Sequence, residues 1–176
     1  MKKKRIQENY DNLGGRIYDI RYTEEQEKKY GLIMAELKTQ DTDLVLDNGC
    51  GTGLLFPFMN TFLIGLDLSS KLLKQALKQI TETTFLINGD SENLPIRNTI
   101  FDKIISVTVI QNTDDPHRMI SDSMRTLKNN GEFAFTGLKK AYTKQEFQSL
   151  FEATSLEIRK IIDEEKIHDW IVIGNQ

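Results

Sequence analysis

Leu44-Val45-Leu46-Asp47-Asn48-Gly49-Cys50-Gly51-Thr52-Gly53 is the stretch that decides how this chain is read. Leu44, Val45 and Leu46 make a short continuous apolar run, the pattern of a parallel strand buried on both faces. The run enters a turn with glycine at every second position, Gly49, Gly51 and Gly53. Glycines so spaced suit a backbone of unusual φ and ψ that lets a ligand approach closer than any Cβ permits. Thr52 offers a hydroxyl N-cap for a helix reaching about Met59, with Pro57 either in its first turn or breaking it. At the end of the first strand of an open α/β sheet, such a turn is where nucleoside-containing cofactors bind. A dinucleotide fingerprint would need its third glycine at the position of Leu54, whereas here it is Gly53. The turn also opens with an acid, Asp47, which repels a pyrophosphate and suits a ligand carrying ammonium or sulfonium charge.

The chain around this stretch has 176 residues, 39% of them hydrophobic and 28% charged. That describes one ordinary globular domain able to bury roughly 70% of the surface its unfolded chain exposes. A net charge of −3 argues against autonomous nucleic-acid binding, which calls for a basic surface. One cysteine, Cys50, excludes an intramolecular disulfide and makes a reducing cytoplasm the expected setting. Inside the glycine turn it reads as a small packing residue or as a reactive thiol. No apolar run approaches a membrane span. The basic start, Lys2 to Arg5, is followed by Gln7, Glu8 and Asn9 and so lacks the apolar region of an export signal. It is either solvated or attracts phosphate-rich substrates.

Taken in order, Tyr10-Asp11 and Tyr18-Asp19 precede the first helix, with Gly14-Gly15 interrupting any long helix between them. These tyrosines either pack over the sheet or line a lid. Thr23 and Gln26 form a capping box that opens an amphipathic helix ending near Leu37. Phe62 to Asp67 is the second buried strand. Ser69 caps a helix from Lys71 to Ile80 whose apolar face is Leu72, Leu73, Ala76, Leu77 and Ile80. Thr84 to Asn88 and Phe101 to Val107 are the third and fourth strands. A helix starts at Asp114-Asp115-Pro116 and closes at Asn129-Asn130-Gly131. Glu132 to Gly137 is the fifth strand and Thr143 to Phe151 another helix. Leu156 to Ile162 and Trp170 to Ile173 close the chain as a hairpin. Strand and helix alternate, which forces a mostly parallel sheet with helices on both faces.

Asp67 ends the second strand, where an acid can accept hydrogen bonds from the two ribose hydroxyls of an adenosine. Asp90 ends the third, where a carboxylate can accept from the adenine amino group. Leu68 and Leu94 either sandwich the adenine or belong to the core. Three successive strand ends thus offer a group to one crevice. Val45 to Gly53, Gly65-Leu66-Asp67-Leu68-Ser69 and Asn88 to Ile96 resemble three consecutive motifs of the class I S-adenosylmethionine-dependent methyltransferases. Phe101 to Ser106 and Arg125 to Lys128 before Gly131 resemble the fourth and fifth, closest to the group that includes the ubiquinone/menaquinone-biosynthesis methyltransferases.

The resemblance implies a Rossmann-like three-layer α/β sandwich, with a seven-stranded sheet whose last strand runs antiparallel. Residues 41–176 form the cofactor-binding body and residues 1–40 a cap or lid. Asp47, Gly49, Gly51 and Gly53 lie beside the methionine moiety, Asp67 on the ribose, Asp90 on the adenine and Gln111 near the methyl group. Cys50, Leu68 and Ser91 complete the expected contact set. Val107-Thr108-Val109-Ile110-Gln111-Asn112 lacks the Asn/Asp-Pro-Pro-aromatic tetrad of amino-methylating enzymes, so methylation by that mechanism is not expected.

For an acceptor that must lose a proton, Asp114, His117 and Tyr18 are the candidates, with Asp115 beside them. For Asp114, Asp115 and His117 the other reading is a helix start stabilised by the dipole. His168 reads as surface, and no His/Cys cluster has metal-ligand spacing. A methyl acceptor of small size is the reading taken first. The alternatives are a catalytic subunit acting on RNA or protein with a small zinc-binding activator on a sheet edge, and a cofactor-binding protein without turnover.

Overall fold

The computed structural model describes residue 8, residues 15–152 and residues 156–176, with side chains from residue 23 onward in the first helix. Its elements are α1 (Gly15–Leu37), β1 (Leu44–Asn48), β2 (Phe62–Asp67), α2 (Ser70–Ala76), β3 (Thr84–Asn88), β4 (Phe101–Ser106), α3 (Pro116–Thr126), β5 (Leu127–Leu138), α4 (Lys144–Glu152), β6 (Glu157–Ile162) and β7 (Asp169–Asn175). The seven strands form one sheet in the order β3-β2-β1-β4-β5-β7-β6. β1 pairs in parallel with β2 and β4, β3 follows β2, and β5 follows β4. β7 runs antiparallel to both its neighbours, β5 and β6. The expected three-layer α/β architecture and closing hairpin are therefore what the chain adopts.

Alternation along the central strands sorts the core. Val45, Leu63, Ile105, Ala134 and Ile171 face α1 and α2, where they meet Ile33, Leu37, Leu73 and Ala76. Leu46, Leu66, Ile104, Phe133, Phe135 and Val172 face α3 and α4. Four phenylalanines knit the second layer together. Phe151 stacks on Phe133 at 5.8 Å and meets Phe135 and Phe147 edge-on at 5.6 and 5.5 Å. The strand order reverses between β1 and β4, and in open α/β sheets ligands bind outside the carboxyl ends of the strands at such a switch point.

Local expectations fail at four places, each for a tertiary reason. No regular helix follows the glycine turn. Gly53 has φ +84°, outside the right-handed helical region, so successive tight turns lead into a single 3-10 turn at Phe56–Phe58, with Pro57 in its first turn. The buried Phe56 ring fills the space that a Cβ at Gly53 or Gly65 would need, 2.7 Å away in each case. Thr23 and Gln26 do not open a helix, because α1 already runs from Gly15, and Gln26 is buried against the sheet. α2 stops at Ala76, leaving Leu77 and Ile80 exposed. Finally, α3 ends at Thr126 and β5 starts at once, with Leu127 paired to Phe101 ahead of a register shift. Asn130, at φ +64°, takes the left-handed turn expected of a helix end inside that irregular strand start. Among the described residues no helix is long and apolar enough to cross a membrane.

Phe151 touches all three other rings of its cluster, so truncation leaves a large void. Phe151→Ala is expected to lose about 3–5 kcal/mol in urea-induced unfolding. A loss under about 1 kcal/mol would show that the aromatic layer closes around the gap.

Candidate functional site

The amides of Gly49 and Cys50 both donate to the carbonyl of Leu66, at 2.7 and 2.9 Å. The backbone is left-handed at Gly49, Gly51 and Gly53, with φ of +89°, +55° and +84°. Asp67 adds the next tie. Its Oδ2 accepts from the Gly51 amide at 2.9 Å and its Oδ1 from the Ser69 amide at 2.8 Å. One carboxylate thereby joins the glycine turn to the start of α2, which Ser69 caps by accepting from Leu72 N. Asn48 looks to the other face, where its Nδ2 donates to Ser123 Oγ and its carbonyl accepts from Ser106 Oγ.

Asp47 is 4% exposed, and no hydrogen-bond donor among the described residues reaches its carboxyl group. Burial, reinforced by the charge of Asp67, pushes its pKa up to about 8. Burial and the same two acids raise the Cys50 thiol well above its ordinary value, which makes Cys50 a packing residue with little thiolate. A buried acid with no donor, in a left-handed glycine cradle, is the environment a cationic ligand would complete.

Asp90 sits one strand further out than Asp67. Its Oδ1 accepts from Glu92 N at 2.9 Å, so this third acid stands at the same edge but braces its own loop, with Ser91 half-buried beside it. Leu68 is half-buried, and Asn88 Nδ2 donates to its carbonyl at 2.9 Å. Leu94 belongs to the core. Gln111 lies in the 3-10 turn after β4, its Nε2 donating to the Thr108 carbonyl and its Oε1 accepting from Leu138 N. Asp114 and His117 are exposed where α3 begins, and Asp115 is the N-cap, accepting from Arg118 N at 3.1 Å. The side chain of Tyr18, like Tyr10 and the basic Lys2 to Arg5, lies outside the described residues. His168 is a surface residue held by Glu25 at 2.9 Å.

Sequence reasoning passed over two sets of residues that shape the site. Glu92 is buried. Its Oε1 accepts from Asp114 N at 2.6 Å and its carbonyl from Arg118 Nε, which buckles the loop after β3 to the start of α3. Arg125 grips the same loop through the carbonyls of Leu94 and Ile96 while pairing with Asp122 at 2.7 Å. The second set is a buried polar cluster beneath α1. Lys29, 2% exposed, lies 3.1 Å from Glu25 and 2.8 Å from Asp169, the latter at an angle that makes the contact coulombic. Thr108, just past β4, accepts from Lys29 Nζ at 3.0 Å and donates to Asp169 Oδ2 at 2.9 Å. Thr136 of β5 donates to the same oxygen at 2.6 Å and accepts from the Thr108 amide at 2.8 Å. Burial works to raise the Glu25 pKa, but hydrogen bonds from His168 together with Lys29 hold it down at about 2.

With this geometry in view, comparison with known proteins gives a family. Residues 46–135 match the family model described as a methyltransferase domain. The chain belongs to that family, the S-adenosylmethionine-dependent methyltransferases. S-adenosylmethionine is accordingly its cofactor. An uncharacterized protein of Methanocaldococcus jannaschii is 33% identical, over 92% of this chain and 67% of its own length. The demethylmenaquinone methyltransferase of Thermotoga maritima is 30% identical, over 80% of this chain and 62% of its own. This methyltransferase chain thus spans about two thirds of the length of these curated relatives. Among solved structures, one in a complex between the Haloferax volcanii Trm112 methyltransferase activator and a methyltransferase matches with a TM-score of 0.78 at 16% identity, covering 94% of this chain and 96% of that one.

The pKa of Asp47 gives a signed prediction. The unfolded chain releases this proton near 3.8 and the folded chain near 8, so between those values the folded state holds the extra proton. The contribution of Asp47 to stability therefore falls as pH rises through that window. Without ligand, Asp47→Asn should gain stability relative to the wild type from about pH 4 to about pH 8 in paired denaturant titrations, then level off. A difference independent of pH would show that Asp47 is already ionised.

Proposed function

We propose that this methyltransferase transfers the methyl group to a small-molecule acceptor held between α1 and the loop Thr108 to Asn112. The observation that carries the proposal is the meeting of Asp47, Asp67 and the left-handed glycines at the switch point of the sheet. In this reading residues 1–40 cap the crevice and residues 41–176 are the body, with Ile33 and Leu37 rooting the cap in the core.

S-adenosylmethionine supplies an electrophilic methyl carbon, and the work of the chain is binding and alignment. In this reading Asp67, fixed by the Gly51 and Ser69 amides, accepts from the ribose hydroxyls. Asp47 balances the positive charge of the methionine end. Asp90 and Ser91 take the adenine edge, with Leu68 against its ring, while Gly49, Cys50, Gly51 and Gly53 give close backbone approach. Gln111 stands near the methyl end. Asp114, His117 and Tyr18 are the side chains at hand for an acceptor that must lose a proton. Support for a small acceptor comes from the identity to a demethylmenaquinone methyltransferase and from the net charge of −3, which gives no broad attraction to nucleic acid.

Two measurements test this. Asp67→Ala removes charge-assisted hydrogen bonds of about 1.5–3 kcal/mol and should weaken S-adenosylmethionine binding in calorimetry by about tenfold or more. Unchanged affinity would place the ribose elsewhere. Tritiated methyl from the cofactor, offered to fractionated cell extract, should enter the small-molecule pool. Label confined to RNA or protein would contradict the small acceptor.

A second reading has one observation in its favour. β3 is an outer strand, and Phe62 and Phe85, 48% and 56% exposed, lie on one face of the β2–β3 pair. Leu77 and Ile80 are exposed in the connection leading into β3. The opposite outer strand, β6, is guarded by exposed Arg159 and Lys160, the usual protection of a free edge. An unguarded apolar edge suits strand addition by a small zinc-binding activator, making the chain a catalytic subunit for RNA or protein. Co-expression with such an activator should then raise soluble yield, and Phe85→Lys should abolish the gain while leaving cofactor affinity unchanged. Full solubility and turnover of the single chain would contradict it.

A further inference from the structure

We infer that the buried Lys29–Asp169 pair is a latch that holds Thr108 in a left-handed conformation and thereby seats Val109 on the glycine turn. Lys29 and Asp169 are thus positioning residues for the cofactor site. The inference rests on the proposed placement of the cofactor against that turn.

Thr108 has φ +62°, a conformation that a β-branched residue avoids. Residues held this way persist where their surroundings over-determine them. The surroundings here are a directed chain of hydrogen bonds. Asp169 Oδ2 accepts from both hydroxyls, Thr108 Oγ1 and Thr136 Oγ1. With each proton committed to Asp169, Thr136 Oγ1 can accept from the Thr108 amide, and Thr108 Oγ1 from Lys29 Nζ. Lys29 neutralises the acid that sets these directions. An apolar pair of similar volume would fill the space but would orient neither hydroxyl.

The consequence reaches the site one residue on. The Thr108 carbonyl is turned to accept from the side chains of Gln111 and Asn112. Val109 packs so closely on Gly49 that a Cβ there would lie 2.3 Å from Val109 Cγ2. Gly49 is the residue whose left-handed turn brings its amide to the Leu66 carbonyl. Because Lys29 belongs to α1, the latch is complete only when that helix is docked, so docking of the cap and the shape of the glycine turn are linked.

The test uses the full chain, S-adenosylmethionine calorimetry and thermal melts. Lys29→Met alone strands a buried charge, so the informative variant is Lys29→Met/Asp169→Leu, which removes both charges. Its cofactor affinity is expected to fall about tenfold. Adding Thr108→Gly, which adopts positive φ freely, should bring affinity back to within about threefold of wild type without raising the melting temperature. That recovery is a readout a merely structural pair would not give. Thr136→Val removes the acceptor for the Thr108 amide and should show the same loss and the same recovery, which serves if the charge-free pair does not fold. Wild-type affinity in the charge-free pair, or failure of Thr108→Gly to restore it, overturns the latch. Asp67→Ala separates the two readings: unchanged affinity there overturns the cofactor placement and the latch with it, whereas weakened binding there with no loss in the latch variants overturns the latch alone.

Discussion

Two acceptors at the end of β2 hold the turn that ends β1. The Leu66 carbonyl takes the amides of Gly49 and Cys50, and the Asp67 carboxylate takes that of Gly51. Left-handed φ at Gly49 and Gly51 aims those three amides at the neighbouring strand, and only glycine adopts such angles without steric penalty. The tight return then explains why the chain passes through turns where a longer helix was expected, and why Phe56 folds into the notch above Gly65. The glycine turn and the start of α2 inherit their positions from this tie between adjacent strand ends.

The same tie creates an electrostatic debt. Asp67 is satisfied by backbone donors, whereas Asp47, one strand away and buried, has none among the described residues, and the negative charge of Asp67 opposes its ionisation. Structural acids in a core acquire donors or cations, as Glu92 and Asp169 do here. In the proposed reading Asp47, without a donor among the described residues, is completed by a charge that arrives from solution. The positively charged methionine end of the family's cofactor is such a charge.

The layout of the sheet was legible because its strands are short apolar runs separated by capping signals, and Ser69, Asp115 and Thr143 cap or flank helices much as their types suggest. The acids at 47 and 67 were legible too, since each ends a strand beside the glycines. What escaped was set by partners distant in sequence. Gln26 scores as half of a capping box but is buried, its Nε2 3.5 Å from Thr108 Oγ1. Leu77 and Ile80 fit a helical stripe that the end of α2 leaves uncovered. Lys29 carries no local sign that it faces Asp169, and Glu92 none that it will receive the Asp114 amide. Asp90 lies two residues past the end of β3, and its carboxylate braces its own loop, a detail that only the turn geometry reveals.

In the proposed reading Asp47 is a neutral acid in the free chain, and the cationic end of the cofactor ionises it. Carbon-13 NMR of the labelled Asp47 carboxyl at neutral pH measures this directly, with the Asp47→Asn chain assigning the signal. The account predicts a protonated carboxyl in the free chain that becomes a carboxylate when S-adenosylmethionine is added. A carboxylate already present without ligand, or a carboxyl still protonated in the complex, would contradict it.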